Sequence, residues 1–218
     1  MSLALLLKDE LNGFYRSKVM LALWVGLPAM AVLLYFLVDN IEGMSITFFT
    51  GIMVSSIGGL LTSVLIVVNI LNEKEKKVYD LFLIRPIRRE NLLLAKFGAV
   101  FLCVMVASFI AITLAAVLDS ATEGYDVQEI LSSMKDSLII TVSIMAINCS
   151  AGVLIGVFSP SVLVGVLLVL FGSNQLSSMV LLPMITGWGE MWMVGLASIG
   201  ISALLLFVAA LVFRHKEF

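Results

Sequence analysis

Long apolar runs alternate along the chain with short polar breaks. No charged residue occurs over 44–72, 97–118 or 137–189. A helix crossing a bilayer needs about 20 predominantly apolar residues, so these runs predict membrane spans. The first span is about 19–38, ended by Asp39-Asn40, and the second about 44–71. The third is about 92–118, with Lys96 near its start expected to snorkel to the interface. The long uncharged stretch exceeds one span, and Ser159-Pro160-Ser161 predicts a turn inside it. Span four is then about 137–158 and span five begins at 162, while span six is about 191–213.

Span five is irregular, because Asn174-Gln175, Ser177-Ser178, Pro183 and Gly187-Trp188-Gly189 follow a short apolar run. Broken backbone at membrane depth survives only when protein or a water-filled cavity covers it. The expectation is a short span, 162–173, followed by a re-entrant segment over 174–189. Ahead of the spans, Leu3, Leu7, Leu11 and Phe14 recur at helical spacing, with Leu6 beside them and Lys8, Asp9, Asn12 and Arg16 elsewhere. This predicts an amphipathic helix over 1–18 lying in the interface plane. Lys8-Asp9-Glu10 interrupts the run where a cleavable signal would continue, so no signal peptide is expected.

The fold class is therefore an all-α integral membrane protein, one transmembrane domain over 1–218 with six spans. Composition agrees: 61% of the 218 residues are hydrophobic and 13% charged, against about 25% charged in soluble domains. Twelve of the 13 Lys and Arg residues fall on one side of this topology, leaving Lys135 alone on the other. The positive-inside rule places both termini in the cytoplasm. Acidic residues gather outside, at Asp119, Glu123, Asp126, Glu129 and Asp136, where 127–135 suggests a short interfacial helix. Cys103 and Cys149 lie inside apolar runs and read as small hydrophobes.

No ionisable residue lies mid-span, which argues against a proton-driven carrier. Neither H-E-x-x-H nor paired intramembrane aspartates are present, which argues against an intramembrane protease. Small and weakly polar residues form stripes instead. Ser55, Gly59, Thr62, Ile66 and Asn69 share one arc of span two, and Thr141, Asn148, Gly152 and Ser159 share one of span four. Such stripes let helices pack closely.

The loop between spans two and three, 73–91, carries Tyr79, Leu81, Phe82, Leu83 and Ile84 between charges of both signs. Apolar residues in a water-exposed loop suggest a docking surface, and Pro86 would end the first helical piece. This loop resembles that of type-2 ABC permeases, the membrane halves of ATP-binding-cassette transporters. The resemblance rests on Glu73, Glu75, Leu81, Phe82, Leu83, Pro86, Arg88, Glu90, Leu92, Leu93, Leu94 and Lys96. Lys77-Val78 departs from the Gly-Thr common among relatives.

The resemblance implies a permease subunit, an exporter rather than an importer, that is not itself an enzyme. ATP and Mg would be held by a separate cytoplasmic ABC ATPase subunit, with no cofactor in this chain, which indeed lacks G-x-x-x-x-G-K-[ST]. A coupling site would comprise Glu73, Glu75, Leu81, Phe82, Arg85, Pro86, Ile87, Arg88, Glu90 and Lys96. A second permease half, identical or paralogous, would complete the transporter in the plasma membrane, with Ser55, Gly59, Thr62, Asn69, Asn174 and Gln175 as path or dimer-face residues. No nucleic acid partner is expected. Two rival functions share these features: a non-transporting scaffold recruiting a cytoplasmic protein through the same loop, and a channel or carrier independent of ATP.

Overall fold

The computed structural model describes residues 3–15, 17–37, 46–75, 89–122, 127–173, 175, 178 and 191–215. The described residues are almost wholly helical, with no strand among them. The helices are α1 (Leu3–Tyr15), α2 (Lys18–Leu37), α3 (Ile46–Glu75), α4 (Arg89–Thr122), α5 (Val127–Phe158), α6 (Val162–Leu168) and α7 (Met191–His215). A π-helical turn, Val169–Ser173, continues α6. By length and composition α2, α3, α4, α5 and α7 can each cross a bilayer. The apolar helix over Val162–Ser173 is shorter, and 179–190 lies outside the described residues.

Long apolar helices form here because each backbone N–H and C=O must be satisfied within the segment. Their packing is set by small residues. The most extensive seam joins α3 to α5. A Cβ on Gly51 would come 2.6 Å from Ser137 Cβ, and one on Gly152 would come 2.9 Å from Ser63 Cα. One on Gly156 would lie 3.1 Å from Ile70. The stripes on spans two and four thus face one another, and Gly152 and Gly156 both serve that contact. Around them Val54, Ile66, Ile70, Val100, Val104, Met145 and Val153 form the core. Helices α2 and α7 lie at the periphery, with Leu21, Val25, Phe36, Leu196, Ile199 and Phe207 exposed.

Three local expectations are revised. The segment 127–135 is no separate helix but the first turns of α5. Its charges end the hydrophobic run, yet no Gly or Pro interrupts the helix there. Asp119, expected among solvated loop acids, is fully buried within α4. Lys96 does not snorkel outward and is 2% exposed.

Helix α1 docks along α4. Leu6 and Leu7 pack with Leu92 and Ala95, and Phe14 joins the main core. Lys8, Asp9 and Asn12 are exposed.

Candidate functional site

The buried cation between α3 and α4 organises one end of the bundle. Lys96 stands on the second turn of α4 among Leu92, Leu93, Ala95, Ala99 and Val100, all buried. An isolated ammonium in such surroundings is costly unless it is paired. The Lys96 Nζ donates to Glu10 Oε1 at 2.9 Å and to Glu73 Oε1 at 2.5 Å. Glu10 comes from α1 and Glu73 from the last turns of α3, so one side chain ties three helices. The carboxylates are 22% and 28% exposed, which places the cluster at the edge of the core. Glu73 Oε2 is buried without a partner among the described residues.

The same end holds α5. Lys74 Nζ donates to the carbonyl of Ser159 at 3.4 Å, just past the end of α5, and a cation suits the negative end of a helix. Ser161 then caps α6, its side chain accepting from Val164 N–H. Gly165 lets α6 lie against α3, since a Cβ there would meet Val67 at 2.6 Å and Leu71 at 2.9 Å.

Of the residues expected at a coupling site, Glu73 and Lys96 are brought into contact. Glu75 is exposed at the end of α3, and Glu90 occupies the first turn of α4. Leu81, Phe82, Arg85, Pro86, Ile87 and Arg88 lie outside the described residues. Among the expected path or dimer-face residues, Ser55, Gly59 and Thr62 are buried on α3. A Cβ on Gly59 would collide with Asn148 Nδ2 of α5. Asn69 is half-buried, Gln175 is exposed with its carbonyl accepting from Ser178 Oγ, and Asn174 lies outside the described residues.

Glu10 was missed as a partner of Lys96, although a signal existed. It stands four residues after Leu6 and four before Phe14, on the face that α1 buries. An acid in that register calls for a cation on the helix it packs against.

Five bilayer-length helices, two of them tied to one another and to α1 through Lys96, define a multi-pass membrane protein. Residues 6–175 match the family model described as "ABC-2 family transporter protein". That match covers more than half of the chain, from within α1 to just past the π-helical turn, and the chain belongs to this family. It is a membrane permease of an ABC transporter, a transport subunit of a family that typically works with an ATPase partner. Comparison with curated proteins gives no match.

Proposed function

We propose that the chain is one half of an ATP-driven exporter, powered by separate cytoplasmic ATPase subunits that hold ATP and Mg. Two six-span halves, identical or paralogous, would form the path in the plasma membrane. Both termini would face the cytoplasm, and 162–189 would supply the fifth span and its re-entrant segment. The segment 73–91 would be the coupling element docked on the ATPase.

The observation that carries this reading is the Lys96 clamp, taken together with family membership. The chain leaves α3 after Glu75, two residues past Glu73, and enters α4 seven residues before Lys96. A push on the loop would therefore reach both flanking helices and α1 together, because the paired charges resist separation. Such a contact suits a rigid-body switch, in which two packed halves rearrange as units. The scaffold reading lacks a comparable support, since recruitment alone requires no stiff connection behind the docking surface.

The test is capture of the motor. Leu81→Asp with Phe82→Asp should remove the ATPase from detergent-purified permease while membrane insertion stays normal. Co-purification followed by mass spectrometry reads both. Retention of the ATPase by the double variant would overturn the assignment of this loop as the docking element.

A further inference from the structure

The opposite ends of α3 and α4 carry a second tie, and its chemistry differs from that of the Lys96 clamp. Asp119, near the end of α4, is fully buried. Its carboxylate accepts the backbone N–H of Thr47 at 2.7 Å and also the Thr47 hydroxyl. Thr47 is the second residue of α3, so this N–H is among those that a helix start leaves without an internal partner. The carboxylate also meets the positive end of the α3 dipole. A neighbouring helix thus supplies the anionic cap of α3.

Helix α5 closes the same corner. Ser137 Oγ donates within reach of Thr47 O at 3.2 Å and Ser133 O at 2.7 Å. Thr141 Oγ1 donates to Gly51 O at 3.2 Å. Asp119 Oδ1 and Thr50 Oγ1 are buried without partners among the described residues. Burying a carboxylate at a helix contact, with half its acceptor capacity unused, is a costly way to join two apolar helices. Packing alone could join them.

We infer that Asp119 is a positioning residue for transport, pinning the far end of α4 to the first turn of α3 through Thr47. With Lys96 joining the near ends, α3 and α4 form a rod pair fixed at both extremities. Displacement of the loop between them then reaches the far face undiminished. This inference rests on the coupling role proposed above and extends it across the membrane.

Spin labels test it in the purified permease–ATPase complex, in a Cys103→Ala, Cys149→Ala background. Phe49→Cys on α3 and Ser120→Cys on α4, in doubly labelled permease diluted into excess unlabelled permease, report the corner within one chain. The native distance distribution should be narrow and unchanged by ATP, Mg and vanadate. Asp119→Ala should broaden it about twofold, because a released helix end samples more positions. Asp119→Asn, whose amide oxygen still accepts both bonds, should recover most of the narrowness. Thr47→Val, which removes only the hydroxyl, serves if Asp119→Ala fails to accumulate.

Ser120→Cys alone reports the distance between two halves. Its nucleotide-dependent shift should fall by at least about half in Asp119→Ala while ATP hydrolysis persists, a split that a folding defect would not produce. A distribution as narrow in Asp119→Ala and Thr47→Val as in the native protein would overturn the pin. An undiminished shift would overturn its role in transmission. Absence of any captured ATPase would instead sink the proposed function, leaving the single-chain measurement to decide the pin.

Discussion

A methyl group added at Gly152 would arrive 2.9 Å from both the Cα and the carbonyl oxygen of Ser63. Backbone cannot yield locally, so the α3–α5 seam itself would have to open. At Gly58 the obstacle is Met145 Cε at 2.6 Å, the far end of a flexible side chain. Gly152→Ala should therefore destabilise the protein by about 1–3 kcal/mol, and Gly58→Ala by less than about 1 kcal/mol. Thermal unfolding in detergent, followed by a thiol-reactive dye on Cys103 and Cys149, separates the two. Equal losses would show that the seam relaxes more freely than this geometry permits. The spacing of small residues predicted close packing. It could not say which glycine meets main chain, because that depends on the axial register of α3 against α5.

At the scale of elements, the Lys96 cluster holds α1, α3 and α4 by one cation and two acids. Removing one member of a buried ion group leaves the others uncompensated. Lys96→Met should cost about 3 kcal/mol, discounted from the range for fully buried pairs because Glu10 and Glu73 retain partial exposure. Lys96→Arg should recover part of that loss, and Glu10→Gln should cost less because Glu73 still neutralises the lysine. Chemical denaturation of the three variants checks the order; a Lys96→Met protein as stable as the native one would refute it. Hydropathy correctly marked Lys96 as near a span end, but it reads each charge against lipid or water. It has no means of seeing that Glu10, 86 positions away, fills the same corner. The same blindness hid Asp119, whose partner Thr47 is 72 positions distant. Where helices begin was also less legible than where membrane begins. Helix α5 starts at Val127 because Glu129, Lys135 and Asp136 are compatible with helix though not with lipid.

For the molecule as a whole, the lopsided placement of Lys and Arg is the strongest guide to orientation. A fluorescent protein fused after residue 218 should fluoresce, and alkaline phosphatase fused there should be inactive. Leu131→Cys, exposed near the start of α5, should react with a membrane-impermeant maleimide added to intact cells. Labelling only after lysis would invert the topology and remove segment 73–91 from reach of any cytoplasmic motor. The apolar helices themselves were legible, since runs without charge leave few alternatives to membrane burial. The region after the π-helical turn was not, because Asn174, Pro183 and the glycines near 187 oppose a regular helix without specifying what replaces it.

Helix lengths divide the bundle in a way that bears on its lipid surroundings. At about 1.5 Å per residue, the 30, 34 and 32 residues of α3, α4 and α5 exceed the hydrocarbon depth. The 20 residues of α2 come to about 30 Å, which only just matches that depth. Thinning or thickening the bilayer would therefore be felt first by the peripheral α2, through its tilt. The overhanging trio, joined at both extremities, would keep its geometry. Lipid composition should thus tune the rim of this permease while leaving its central shaft indifferent.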